Sequence, residues 1–351
     1  MAGRRGNSAE SVRAGNTGGR LRPEMILRQE LDKWSRAHPE TEMTFNVQLA
    51  ELTTFKIGGP ARVLISAYNE PQLEDILAMA RRHKWPVFVL GGGSNVLFED
   101  RGFRGIVLRL GPGFSRCFVA GTRIVAGAAV STGALIRLAQ ENSLSGMEPL
   151  FGLPGTIGGA VRYNAGGRLG EVGELVERIR LYGLDGLIRD IYRRDLNFGY
   201  RNLNLGNNRG LILEVELGLC RASAEVIRQR TEKSRAFRAR QPGGHSAGCI
   251  FKNPLIPPFG RCYRDDRSDK FYGNELMTAG QMIDLCGFKG RRIGGAQVST
   301  KHANFIVNTG GARSSDVFGL IVEIQKEVLR RFGLQLETEI SCPWVKDLTN
   351  G

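Results

Sequence analysis

Two glycine-rich stretches and three isolated polar residues carry the chemistry that this chain could perform. In Leu90-Gly91-Gly92-Gly93-Ser94-Asn95 an apolar run from Pro86 passes straight into three glycines. Successive backbone N–H groups free of side chains form a nest that suits phosphate oxygens. The dinucleotide fingerprint is not met, because the position for its third glycine holds Val96. A tight turn without a ligand fits the same residues. In the stretch from Gly152, the run Pro154-Gly155-Thr156-Ile157-Gly158-Gly159 is followed by Asn164-Ala165-Gly166, with Thr156 and Asn164 as its polar handles. Backbone of this kind suits a large flat ligand such as an isoalloxazine ring, although a loop crossing between sheets fits it too. One dinucleotide would explain both stretches.

The isolated residues are more ambiguous. Arg201 follows Tyr200 in Asn197-Phe-Gly-Tyr-Arg-Asn202 and could hold a carboxylate or phosphate by its fork of donors; an exposed surface arginine reads the same. Cys249 follows Gly248, with Lys252 and Asn253 shortly after it. A nearby cation would lower the thiol pKa, whereas a small buried hydrophobe is the other reading. Glu337 and Glu339 alternate with leucines and would share one face of a strand, where a solvated carboxylate is the plain alternative.

The elements that position these residues read as α/β. A helix is expected over 25–37 and strands over 61–66, 86–90 and 105–110. Between the first two strands, a helix over 71–83 has Asn69 as N-cap and Gln72 three residues on. Strands follow at 123–126, 179–181, 188–192 and 211–217, with helices at 132–141 and 224–238. The Gln241-Pro242-Gly243-Gly244 break marks a boundary. Beyond it come a helix at 279–285, strands at 296–299 and 304–307, a long amphipathic helix at 315–332 stopped by Gly333, and a last strand at 334–340. Residues 255–277 read as a loop insertion, and 1–22 as a disordered tail with little to bury.

Composition narrows the class. With 41% hydrophobic and 24% charged residues the chain is of globular type. The net charge of +14 fits a solvated basic surface or an anionic ligand. It comes without zinc-finger, basic-zipper or aromatic RNA-binding patterns, so no nucleic-acid partner is expected. The six cysteines are scattered and the four histidines form no metal pattern, so no metal and no disulfide framework are expected. No apolar run is long enough to span a membrane and no secretory signal is visible, which points to the cytoplasm.

Seven segments occur in one order: TTFKIGGPA (53–61), LGGGSN (90–95), PGTIGGAVRYNAGG (154–167), FGYRN (198–202), SAGCIFKNP (246–254), GFKGRRIGGAQVSTKHANFIVN (287–308) and LETEI (336–340). In this the chain resembles the UDP-N-acetylenolpyruvoylglucosamine reductase family over roughly residues 45–341. The resemblance implies an α/β (α+β) fold, with a two-subdomain FAD-binding region of vanillyl-alcohol-oxidase type at 23–110 and 111–238 and an α/β substrate-binding domain at 239–345. It implies non-covalent FAD, NADPH as co-substrate, and reduction of UDP-N-acetylglucosamine enolpyruvate to UDP-N-acetylmuramate for peptidoglycan, by a protein expected to be monomeric. FAD contacts are implied at Gly91, Gly92, Gly93, Ser94, Asn95, Pro154, Gly155, Thr156, Gly158, Gly159, Asn164, Ala165 and Gly166.

The resemblance also places the family's three functional positions on Arg201, Cys249 and Glu339. Hydride would pass from flavin N5 to the vinyl carbon and a proton from Cys249, with Arg201 and Glu339 steadying the developing charge. Tyr200, Lys252, Asn253 and Lys289 are implied substrate contacts. Many members carry serine at the position of Cys249, and an arginine often found two residues after the acidic position is Ser341 here. The chain looks like those members that lack a substrate-contacting tyrosine loop. A sibling flavoprotein with another substrate would usually carry a His or Cys for flavin attachment near the glycine loops, and none is visible. A basic nucleotide-binding protein without catalysis would purify colourless.

Overall fold

The amphipathic stretches and their caps set the framework of the computed structural model, which describes residues 23–254, 263–265, 270–272 and 277–343. The tail at 1–22 lies outside the described residues. So does most of the 255–277 insertion, whose described parts include two short antiparallel strands, Tyr263–Asp265 and Lys270–Tyr272. Helix α1 (Pro23–Ala37) buries Leu27, Leu31 and Trp34 along one stripe. It belongs to a unit ending at Glu40, and everything from Thr41 onward forms a second.

The second unit begins with a four-stranded sheet. Strands β1 (Glu42–Gln48), β2 (Pro60–Ala67), β3 (Val87–Val89) and β4 (Phe103–Leu110) lie in the order β1-β2-β4-β3. β2 and β3 run parallel to β4, and β1 is an antiparallel edge. That edge was not foreseen, although Met43, Phe45 and Val47 alternate with polar residues; this face is only half-buried, and left-handed Asn46 at φ 56° interrupts the extended run. Helix α2 (Glu70–His83) covers the sheet with Leu73, Ile76 and Ala80. The Asn69 side chain caps it by accepting from the Gln72 amide at 3.0 Å. The Gln72 side chain accepts instead from the Tyr68 amide at 2.8 Å, locking the entry to the helix.

A five-stranded antiparallel sheet follows. β5 (Cys117–Ala120), β6 (Arg123–Gly127), β7 (Val176–Gly183), β8 (Ile188–Tyr192) and β9 (Gly210–Gly218) take the order β8-β7-β9-β6-β5. Register is pinned by Arg178 on β7, which donates to Asp190 on β8 and to Glu214 and Glu216 on β9. Helix α3 (Thr132–Glu141) and the short α4 (Ile157–Arg162) bury Leu135, Ile136, Ile157 and Val161 with Ile179 and Val215 of the sheet. α4 was also unforeseen. Its glycines argue against helix, and the Thr156 hydroxyl that accepts from Gly159 N–H at 3.4 Å holds its first turn.

The C-terminal part comprises α5 (Ala224–Ala239), α6 (Ala279–Leu285), a three-stranded sheet and α7 (Ser314–Phe332). Gly333, at φ 70°, ends α7 as the sequence predicts. Leu320, Ile324 and Val328 of α7 form one core with Ile250, Phe251 and Leu336, and this core also takes in Phe55, Ile57 and Leu97 from the N-terminal side of the unit. The strand expected at 334–340 is instead an extended segment held by isolated bridges, Phe251 to Thr338 and Val96 to Ser341. Two different neighbours each meet it for a residue or so, and no ladder can grow. Among the described residues, no helix is long and apolar enough to cross a membrane.

Because Leu320 is fully buried in the core that joins α7 to the 250–251 segment, Leu320→Ala leaves a cavity there. It is expected to lower unfolding stability by about 2–5 kcal/mol, measured by urea denaturation.

Candidate active site

The Gly91–Asn95 loop reaches its place through contacts at both ends. Gly93 sits at φ 65°, and a Cβ there would lie 2.1 Å from the Leu52 carbonyl oxygen. Its own carbonyl accepts from Thr54 N–H at 3.0 Å. A Cβ on Gly92 would meet the Cα of Gly155 at 2.6 Å, so the two glycine loops abut backbone to backbone. Ser94 ties them together by donating to the Pro154 carbonyl at 3.0 Å. At the far end, Asn95 Nδ2 donates to the Glu339 carbonyl at 3.2 Å, and Ser341 N–H donates to the Asn95 carbonyl at 3.0 Å.

Beside both loops lies a cavity of about 1170 Å³, lined by Gly91, Thr156, Gly158 and Gly159 together with Arg109 and Tyr182. Arg109 Nε and Tyr182 Oη are buried and have no hydrogen-bond partner, which costs free energy unless a ligand supplies one. Burial holds the Arg109 pKa below its ordinary value, with Glu42 opposing. Glycine backbone, a long apolar wall, a buried arginine with an unpartnered Nε and one free hydroxyl fit an anionic dinucleotide such as FAD.

Arg201 stands at the turn of a hairpin, Asn197–Gly199 paired with Asn202–Asn204, at φ 54°. This left-handed conformation is rare for arginine. Its Nε donates to Glu339 Oε1 at 2.7 Å, and its Nη groups reach the carbonyls of Asn164 at 3.4 Å and Gly166 at 3.2 Å. Both ends of the Arg201–Glu339 pair are largely buried, with side-chain exposures of 17% and 15%. Burial works against the charge on Arg201, and Glu339, Tyr200 and Glu171 together more than restore it, so its pKa is raised. Burial raises the Glu339 pKa above the ordinary value, and Arg201 only partly offsets this.

Glu339 and Cys249 are brought together by two crossing strands of backbone. Glu339 N–H donates to the Ile250 carbonyl at 2.7 Å and Lys252 N–H to the Glu337 carbonyl at 2.9 Å. On the other side Asn304 clamps the same segment: its carbonyl accepts from Ile250 N–H, its Oδ1 from Phe251 N–H at 3.0 Å, and its Nδ2 donates to the Phe251 carbonyl at 2.8 Å. Cys249 is half-buried. Burial first, and the Glu339 carboxylate second, push its thiol up to about 12, against the opposing pull of Arg201 and Arg238.

This corrects two expectations. Lys252 does not acidify Cys249, because its Nζ turns to Glu337 at 3.3 Å. The thiol therefore keeps its proton at neutral pH and does not become a thiolate. Glu337 and Glu339 do not share an environment either, since Glu337 is exposed on the Lys252 side. Of the expected contact residues, Tyr200 and Asn253 join the cluster, with Asn253 N–H donating to Tyr200 Oη at 3.2 Å. Lys289 does not, for it pairs with Asp284. Sequence reasoning missed Asn304, Arg109, Tyr182 and Glu171. Asn304 alone left a signal, an amide inside the apolar run Ala303-Asn304-Phe305-Ile306.

Comparison with known proteins gives a consistent picture. Residues 240–343 match the model of the UDP-N-acetylenolpyruvoylglucosamine reductase C-terminal domain, and residues 61–191 match that of an FAD binding domain. The UDP-N-acetylenolpyruvoylglucosamine reductase of Halalkalibacterium halodurans is 33% identical over 314 residues, covering 89% of this chain and 98% of that protein. The one from Bacillus velezensis is 35% identical over 295 residues, 83% of this chain and 91% of the relative. Among solved structures, UDP-N-acetylenolpyruvylglucosamine reductase (MurB) from Thermus caldophilus aligns with a TM-score of 0.69 at 34% identity, over 86% of this chain and 98% of that one.

The raised thiol pKa makes an accessible test. At neutral pH the exposed Cys117 and Cys220 should alkylate ahead of Cys249, read by peptide mass spectrometry, because the thiolate is the reactive form. Labelling of Cys249 first would mean that its thiol ionises near neutrality.

Proposed function

The chain belongs to the UDP-N-acetylenolpyruvoylglucosamine reductase family, and from that premise we propose that it reduces UDP-N-acetylglucosamine enolpyruvate to UDP-N-acetylmuramate for peptidoglycan precursor synthesis, with non-covalent FAD and NADPH. The observation that carries the reading is the meeting of Arg201, Glu339 and Cys249 beside two abutting glycine loops. The chemistry that bound FAD supplies is hydride transfer, from NADPH and on to the vinyl carbon remote from the ether oxygen.

What remains falls to side chains. Hydride arrival leaves negative charge on the substrate carboxylate in an enolate-like form, and Arg201 is the buried cation able to hold it. Glu339, with its pKa raised by burial, assists as an acid beside that cation. Cys249 still holds a proton at neutral pH and gives it to the carbon next to the carboxylate. The thiolate left behind lies within the field of Arg201 and Arg238 and recovers its proton from solvent. Tyr200, Lys252 and Asn253 are proposed to contact the substrate; Lys289, paired with Asp284, is left out. Gly91 to Asn95, the 154–159 run and Asn164 to Gly166 are proposed to hold the flavin, with no attachment residue beside them.

The reading divides the chain into FAD-binding subdomains at 23–110 and 111–238 and a substrate-binding domain at 239–345. The buried cluster around the second sheet supports the middle division, whereas the cluster along α7 also takes in Phe55, Ile57 and Leu97 of the first subdomain. The reading also makes the protein a cytoplasmic monomer; reduced Cys117, Cys220, Cys249 and Cys286 are in keeping with the cytoplasm.

The test is NADPH oxidation by the purified yellow protein with and without the enolpyruvyl UDP-sugar. Oxidation should depend on the sugar, and a colourless or sugar-indifferent protein would contradict the reading. Glu339→Gln should leave flavin reduction by NADPH intact and slow the substrate half-reaction by about 10²–10⁴-fold, separated by stopped flow. Cys249→Ala should behave likewise.

A further inference from the structure

Glu171 stands at the end of a two-residue strand that pairs with Gly166-Gly167, on the far side of Arg201 from Glu339. One of its carboxylate oxygens accepts from Asn164 Nδ2 at 2.6 Å, and the other lies 3.5 Å from Arg201 Nη1. The Asn164 amide has no freedom left. Its Nδ2 also donates to the Gly199 carbonyl at 3.0 Å, and its Oδ1 accepts from Gly173 N–H at 3.0 Å. Asn164 is buried and, like Arg201, left-handed, at φ 43°. Glu171 therefore joins the second glycine loop to the guanidinium through two strained residues. It also makes Arg201 a cation between two carboxylates.

One guanidinium shared between two carboxylates compensates each less than it would compensate one alone. Glu171 is the more exposed of the two, at 28% against 15% for Glu339. Burial raises the Glu339 pKa, so Glu339 is the member of the pair for which the charged form is penalised. If Glu171 were absent, Glu339 would be the sole counter-ion of a buried arginine and would be held as a carboxylate. We propose that Glu171 is a positioning residue of the reductase: it keeps Arg201 compensated and oriented, and so leaves Glu339 better able to stay protonated as the acid beside that cation. This rests on the proposed reductase function.

The experiment is the pH profile of the substrate half-reaction in wild type and Glu171→Gln, each loaded with FAD and reduced by NADPH. Glutamine keeps an acceptor for Asn164 and removes only the charge. The other groups facing Glu339 are Arg201 and Tyr200 on the hairpin, Cys249 and Lys252 on the crossing segment, and Arg238 beyond Cys249, and all are unchanged. Activity falls as pH rises through the Glu339 pKa. In Glu171→Gln that alkaline limb should move down by about one pH unit or more, with flavin reduction by NADPH unchanged.

A slower reaction whose limb stays at the wild-type pH would overturn the inference and leave Glu171 a structural residue. Should Glu171→Gln fail to retain flavin, Glu171→Asp keeps the charge but draws it back by one methylene. Its limb should move in the same direction by less, and an unmoved limb overturns the inference equally. A wild type that does not turn over with the enolpyruvyl sugar fails the proposed function instead.

Discussion

A buried guanidinium must be compensated wherever the chain places it, and here that requirement links segments far apart in sequence. Arg201 lies at the tip of a hairpin beyond the second glycine loop, and Glu339 lies 138 residues later, past helix α7. Removing one partner of such a buried pair costs about 3–5 kcal/mol, because the other charge is left unmatched in a poor solvent. The C-terminal segment must therefore return to the hairpin, and it does so through short backbone links: Glu339 to Ile250, Lys252 to Glu337 and Ser341 to Asn95. Those links bring Cys249 and the first glycine loop to the same place.

Burial then tunes the site. The same desolvation raises the pKa of Glu339 and of Cys249, so both are acids that keep their protons to higher pH than in water. A hydride acceptor that becomes an enolate needs a cation for its charge and an acid for its carbon, and in the proposed reading the cluster of Arg201, Glu339 and Cys249 supplies both. The glycine loops add a surface of bare backbone beside a cavity whose Arg109 and Tyr182 await partners.

Much of this was legible in the residues. Helices 132–141 and 279–285 and strand 188–192 coincide with the observed Thr132–Glu141, Ala279–Leu285 and Ile188–Tyr192, because each has strong periodicity or clean end signals. Arg201, Cys249 and Glu339 could be named from motif order, yet their mutual geometry could not. Nothing in the local sequence says that Lys252 turns to Glu337 and leaves Cys249 alone. Edge strand β1 and helix α4 escaped for different reasons: the alternating face of β1 is broken by left-handed Asn46 and only half-buried, and α4 carries two glycines. Asn304 and Glu171 act by position, clamping a segment and a side chain, and residue type alone does not announce that role.

The central claim is that Glu339 stays protonated to higher pH than an ordinary glutamate although it touches an arginine. Carboxyl ¹³C NMR of the glutamate-labelled protein tests it directly, with Glu339→Gln identifying the resonance by its loss. The account predicts a titration midpoint above that of an exposed glutamate in the same spectrum. A midpoint at or below that of an exposed glutamate would show that Arg201 outweighs burial, and Glu339 would then be a counter-ion with no proton to lend.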